Sequence, residues 1–239
     1  ASHYTKLDVH TSGNRTYIVD SKVPCKKWTA RQTQERIRRR IHSFYVDEHA
    51  LSGSYSLEEM LQTDRERAKA VQKVAEYVVR VQEEGLVQTG LYLYGKFGTG
   101  KTFLMCYMLY ELAKHGYSGA IVYMPDFMED LKSMFGQPQQ LKEMIEILKE
   151  TDLLVFDDIG AENLNAWARD HVLGTILNYR MNRKPTFFTS NYDLDALEQH
   201  FSFTNREGEE RHKGMRIMER IRPFVDAVPV NGRNKRGKL

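Results

Sequence analysis

The stretch that most constrains this chain is Gly90-Leu-Tyr-Leu-Tyr-Gly-Lys-Phe-Gly-Thr-Gly-Lys-Thr102, an apolar and aromatic run that breaks into a glycine-rich turn. Gly95, Gly100, Lys101 and Thr102 satisfy the spacing G-x-x-x-x-G-K-[ST], and a helical pattern begins directly afterwards. Strand, loop and helix in that order form the setting in which such a loop holds phosphates. Gly95 and Gly100 let the backbone curl until successive N–H groups converge on one anion, where a side chain would block the approach. Lys96, Phe97, Gly98 and Thr99 make up the loop between them, and Phe103 lies in the first turn of a helix whose positive end faces the same phosphates. Lys101 is expected to reach the β- and γ-phosphates of a nucleotide, and the Thr102 hydroxyl to ligate Mg2+.

Three further stretches carry candidate chemistry. The apolar run Leu153–Phe156 delivers two carboxylates, Asp157 and Asp158, at a strand's C-terminal end, the edge where ligands bind in open parallel sheets. Asp157 is the expected metal residue, and Asp158 the group that polarises an attacking water. Glu162 competes for the second role from beyond Gly160. In Phe187-Phe188-Thr189-Ser190-Asn191 another apolar strand ends in hydroxyls and an amide. Asn191 is a candidate to bond the water or the γ-phosphate, the alternative being an Asn that merely opens a turn. In Met215–Arg222, Arg216 and Arg220 share one helix face while Ile217 and Ile221 share another. An arginine there can complete a neighbour's site or pair with local acids such as Glu219.

Around these stretches the pattern alternates. Strands are expected at 90–94, 120–124, 153–156, 186–189 and 225–230. Helices are expected at 102–115, 126–135, 139–150, 165–182, 193–201 and 215–222, with residues 202–214 a polar loop. Such alternation predicts a parallel sheet with helices on both faces. Upstream, an amphipathic helix capped by Asp64 carries Ala68, Val71, Val74, Val78 and Val81 and closes at Gly85. Residues 54–61 read as a short helix or entry loop, residues 29–45 as a basic helix with Thr29 as its cap, and residues 16–20 as one short strand. The division expected is an N-terminal extension at 1–53 and an ATPase domain at 54–239.

Net charge is only +3, but seven Lys/Arg against one acid lie between Lys26 and His42, a distribution that suits a polyanion or a solvated face. No apolar run is long enough to span a bilayer, so no membrane partner is expected. Two cysteines, Cys25 and Cys106, form neither a metal-ligand spacing nor a disulfide framework, which fits a reducing, cytoplasmic setting.

Taken together, Gly90–Thr102, Val122–Phe127, Asp157–Glu162, Val172–Met181, Thr186–Asn191 and Arg216–Ile221 resemble the helicase-loader branch of the bacterial AAA+ ATPases, from about Trp28 onward. The resemblance implies a three-layer α/β/α fold on a five-stranded parallel sheet of order 5-1-4-3-2, without a C-terminal helical lid. It makes Gly95–Thr102 the Walker A loop, Asp157–Asp158 Walker B and Asn191 sensor 1. Arg220 becomes the arginine finger of a homo-oligomer, with Arg216 and Arg222 beside it. It further implies ATP and Mg2+ as ligands, and ATP-dependent loading of the replicative hexameric helicase onto single-stranded DNA at initiation or restart. The segment 126–150 then faces the DNA, with Lys132, Lys142 and Lys149 as candidate phosphate contacts. Two departures stand out. The family's N-terminal domain grips the helicase and, in some members, carries zinc, whereas Cys25 stands alone here. Asp158 replaces the glutamate of many AAA+ proteins, a shorter arm that suits a slow switch. Two other readings remain open from sequence: a nucleotide-gated module with negligible turnover, and a transposase-helper ATPase.

Overall fold

The computed structural model describes residues 3–13, 15–44, 46, 67–204 and 208–232; the segment 54–61 and the Asp64 cap lie outside them. The chain divides into two compact units, Ala1–Arg39 and Arg40–Leu239.

In the first unit β1 (His3–Ser12) and β2 (Arg15–Pro24) pair antiparallel in register from His3↔Pro24 to Ser12↔Arg15. Where one short strand at 16–20 was expected, a ten-residue ribbon runs on each side of Gly13, which takes φ 60°. Only Thr16–Val19 makes an apolar and β-branched run; elsewhere such residues are interspersed with charged and polar ones, so the sequence announces one short stretch of the ribbon and not its length. Helix α1 (Lys26–Arg38) begins three residues ahead of the expected Thr29 cap. Thr29 lies inside the first turn, its N–H and hydroxyl both donating to the Cys25 carbonyl.

The second unit is built on a six-stranded, all-parallel sheet. Its strands are β3 (Ile41–Phe44), β4 (Gly90–Tyr94), β5 (Gly119–Tyr123), β6 (Leu153–Asp157), β7 (Thr186–Ser190) and β10 (Val225–Pro229). Across the sheet they run β10-β4-β7-β6-β5-β3. The first five of these reproduce the expected 5-1-4-3-2 order; the sixth, β3, corrects the sequence reading. Residues 41–44 were expected to continue a helix because Ile41 and Phe44 are three apart, yet they pair with β5 from Ile41↔Gly119 to Phe44↔Val122. Strand pairing with a partner some 78 positions away overrides a local spacing that fits either state.

The inner strands are buried on both faces, and their alternation sorts side chains between two cores. Leu91, Leu93, Ile121, Val155 and Phe187 face α2 (Ala68–Glu84) and α3 (Lys101–Lys114). Tyr92, Val122, Leu154, Phe156 and Phe188 face the opposite layer. That layer consists of α4 (Met124–Ser133), α5 (Pro138–Glu150), α6 (Gly174–Arg180), α7 (Leu194–Phe201) and α8 (Arg211–Met218).

Two further expectations are revised. The long helix at 165–182 contains a π-helical stretch, Ala168–Leu173, ahead of α6. There Arg169, fully buried, donates to the Phe201 carbonyl and pairs with Asp170 and Glu210. The loop expected at 202–214 holds a short antiparallel pair, β8 (Phe203–Thr204) with β9 (Gly208–Glu209), and the start of α8. Arg180, 1% exposed, stitches the layer to the sheet. It donates to the carbonyls of Leu148, Thr151, Asp152 and Pro185 and to the Thr186 hydroxyl, and burial brings its pKa down to about 10.

Candidate functional site

The phosphate-loop residues lie between the end of β4 and the start of α3, at the C-terminal edge of the sheet. Gly95 takes φ 142°, Gly98 φ 72° and Gly100 φ 95°, the region in which a Cβ is penalised. A Cβ on Gly95 would stand 2.6 Å from the Val230 carbonyl oxygen, so the cradle's first residue has no room for one. Thr99, almost fully buried, ties the loop by donating to the Lys96 carbonyl at 3.0 Å. Lys96 and Phe97 point outward, and Phe97 is exposed. The Phe103 side chain packs, partly buried, against the α2/α3 core.

Lys101 is 7% exposed and its ammonium donates three hydrogen bonds: to the Gly95 carbonyl at 2.8 Å, the Lys96 carbonyl at 2.9 Å and Asn191 Oδ1 at 3.0 Å. Asn191 Nδ2 in turn donates to Asp158 Oδ1 at 3.0 Å. Lysine only donates and carboxylate only accepts, so the amide's orientation is fixed by chemistry. One side chain thus links the phosphate-loop lysine on α3 to the second carboxylate after β6.

Asp157 is 3% exposed. Thr102 Oγ1 donates to its Oδ2 at 3.1 Å and Thr189 Oγ1 to its Oδ1 at 2.7 Å. No lysine or arginine ion-pairs with it among the described residues, and burial pushes its carboxyl above the ordinary range despite the two hydroxyls. A dehydrated carboxylate beside a threonine hydroxyl, at the mouth of an anion cradle, is the donor set a magnesium ion takes, so the residues fit the ion expected from sequence. Asp158 stands at φ 58°, a left-handed conformation that is uncommon for a non-glycine residue.

That strained turn is held from behind. Asp158 N–H donates to Thr189 Oγ1 and Ile159 N–H to the Thr189 carbonyl, while Ser190 Oγ donates to the Ile159 carbonyl. Glu162, fully buried at its side chain, accepts the Gly160 N–H at 2.7 Å and pairs with His200 Nε2 of α7 at 3.0 Å. The candidate second base therefore serves the backbone of the turn. Sequence reasoning missed His200 and the Tyr92 hydroxyl, which donates to the Tyr192 carbonyl at 2.7 Å. Neither belongs to a motif; only the polar ends of β6 and β7 hinted that two loops meet there.

The arginines bond to other residues than these. Arg222 pairs with Asp195 and Glu198. Arg220 donates to Asn178 Oδ1 and to the Arg216 carbonyl, and Arg216 is exposed. Of the lysines on the 126–150 segment, Lys132 pairs with Glu129 and Lys149 with Glu146, while Lys142 is exposed. No described helix is long and apolar enough to cross a membrane.

Comparison with known proteins accords with this geometry. The family model of IstB-like ATP-binding proteins matches residues 27–238. The replicative helicase loader DnaI of Bacillus subtilis (strain 168) is 38% identical over 204 residues, which make up 85% of this chain and 64% of that protein. The chain thus spans somewhat under two thirds of that relative's length. A crystal structure of DnaI superposes with a TM-score of 0.67 at 35% identity, covering 84% of this chain and all of that one. The DnaC helicase loader shares the fold, with a TM-score of 0.56 at 23% identity over 70% of this chain and 90% of its own.

Proposed function

The chain belongs to the family of IstB-like ATP-binding proteins, and on that premise we propose that it loads a replicative DNA helicase onto single-stranded DNA, using ATP as a switch. The likeness to DnaI over 85% of the chain supports the loading role. The observation that carries the switch is the bridge from Lys101 through Asn191 to Asp158, which ties the phosphate seat to the carboxylate that would act on water. The sequence division into a 1–53 extension and a 54–239 ATPase domain belongs to the same reading, as does a cytoplasmic setting.

In this reading Gly95–Thr102 wrap the triphosphate, and the Lys101 ammonium exchanges its loop carbonyls for β- and γ-phosphate oxygens. Thr102 and Asp157 would hold Mg2+, which would supply charge neutralisation for the phosphates. Asp158 accepts the proton of the water that attacks the γ-phosphorus as the bond to the β–γ bridging oxygen breaks and ADP leaves, and Asn191 orients that water and senses the phosphate. Arg220 or Arg216, neither paired with an acid among the described residues, offers a positive charge to the nucleotide of a neighbouring copy; Arg222 is already committed to Asp195 and Glu198. Because the Asp158 arm is short and its turn is strained, turnover is expected to be slow.

The test is ATP turnover with and without single-stranded DNA and with added replicative helicase. Stimulation by either, abolished in Lys101→Ala and Asp157→Ala, is the expected result. ATP binding by Lys101→Ala equal to wild type would remove the basis of the reading.

A further inference from the structure

In β7 the aromatic pair Phe187 and Phe188 gives way to Thr189, which is 1% exposed. Strand alternation decides where its side chain goes. Val155 and Phe187 both face the α2/α3 layer. Asp157 and Thr189, two positions further along β6 and β7, therefore turn the same way, toward the start of α3 and Thr102. A valine would fill that buried space. A hydroxyl in its place is unfavourable unless it is hydrogen-bonded.

This hydroxyl is bonded twice. Its oxygen accepts the Asp158 N–H at 2.8 Å, and its proton goes to Asp157 Oδ1 at 2.7 Å. An N–H can only donate and a hydroxyl carries one proton, so the direction of both bonds is fixed. Each strengthens the other, because a hydroxyl that accepts becomes a better donor. The two oxygens of Asp157 are thereby set apart. Oδ1 is occupied from β7 by a residue shut off from solvent. Oδ2 meets Thr102 Oγ1, on the half-buried residue that closes the phosphate loop, at 3.1 Å. The site thus offers one carboxylate oxygen to a cation. That distinction separates two common ions. Mg2+ is small and demands a near-ideal octahedron, which the narrow bite of a two-oxygen carboxylate distorts; Ca2+ is larger, takes more oxygens and readily accepts both from one carboxylate.

We propose that Thr189 is a positioning residue that sets the metal preference of the nucleotide site: its hydroxyl holds Asp157 Oδ1, so that only Oδ2 meets the ion or a water on it, which favours Mg2+ over Ca2+. The same oxygen holds the Asp158 N–H, so the carboxylate for the metal and the left-handed turn that carries the second carboxylate are fixed by one atom. The inference deepens the ATP-switch reading and rests on it for the ion.

Calorimetric titration of Mg2+ and of Ca2+ into the full chain saturated with ADP tests this without turnover. Thr189→Val keeps the side chain's shape and removes the hydroxyl, whereas Thr189→Ser keeps the hydroxyl. In Thr189→Val, Mg2+ binding should weaken by roughly 10- to 100-fold, the usual effect of losing a group that orients a metal ligand. Ca2+ binding should weaken less, so that the Mg2+/Ca2+ affinity ratio falls about 10-fold or more. Thr189→Ser should retain the wild-type ratio. An unchanged ratio in Thr189→Val would overturn the proposal and leave the ATPase reading standing. So would an equal fall in Thr189→Ser, which would make packing the cause. Both variants keep the backbone anchor of the turn, the Ile159 N–H on the carbonyl of residue 189. Should Thr189→Val still fail to fold, the wild type decides alone: crystals grown with ADP and Mg2+ should show Oδ1 on Thr189 and Oδ2 toward the ion, and Oδ1 on the ion would overturn the proposal. A wild type that binds no Mg2+ with ADP would sink the ATPase reading and this one together. Turnover indifferent to helicase and to single-stranded DNA, with the ratio still sensitive to Thr189→Val, would sink the loading role and keep this one.

Discussion

Asp157 is the residue at which folding and ligand binding oppose each other. Its carboxylate is buried with two hydroxyl donors among the described residues, so ionising it in the folded chain is unfavourable until a cation arrives. Asp157→Asn is expected to keep or raise the thermal midpoint without nucleotide, and to abolish the additional stabilisation by Mg2+ with ATP; thermal unfolding in the four combinations measures both. Glu162 behaves differently, because it serves the backbone of the strained Asp158 turn. Glu162→Ala strands the Gly160 N–H and His200, so kcat should fall on the order of 10- to 100-fold with little change in KM, as expected for a small misplacement of a reacting group. Glu162→Gln retains an acceptor for Gly160 and should recover most of that loss; equal losses in both variants would refute the positioning role. The phosphate loop was legible in the sequence because its backbone geometry dictates glycine, and its charge dictates lysine. The Glu162–His200 pair was not, since the partners lie 38 positions apart and neither residue type is demanded by a motif.

Arg180 works at the scale of elements, holding the end of α5 and the starts of β6 and β7 to one another through carbonyls that would otherwise be buried without donors. Arg180→Met leaves several of these unsatisfied, at about 1–3 kcal/mol each. A net loss of roughly 3 kcal/mol, or about 6–12 °C in midpoint by calorimetry, is expected. The π-helical stretch makes a second junction through Asp170. Burial opposes its charge, yet Arg169 and Lys213 hold its carboxyl below the ordinary 3.8. A depressed folded-state pKa adds stability above the unfolded value and loses it as pH falls through the folded one. The stability gap between wild type and Asp170→Asn should therefore be full above about pH 4 and close at lower pH, in denaturant titrations across that range. Elements whose periodicity decides their burial were legible, the inner strands above all. Strand β3 was not, because pairing with a distant strand selects its conformation, and of the ribbon β1–β2 only residues 16–20 were, the rest being set by pairing between its two arms.

At the scale of the molecule, two cores on opposite faces of one sheet converge on the C-terminal edge where the site lies. ATP at a hundred times its dissociation constant should add about 2.7 kcal/mol to the stability of the wild type, a shift of roughly 5–11 °C, and Lys101→Ala should lose it. The sheet order was legible from alternation together with the family resemblance; the sixth strand was not. One close approach bears on how such a molecule reports its own occupancy. Gly95 presses against the Val230 carbonyl, and Val230 N–H donates to Tyr94 just beside it at 2.7 Å. A shift of the loop at Gly95 as a phosphate arrives would press on that carbonyl, so the stretch beyond β10 is the needle on the dial.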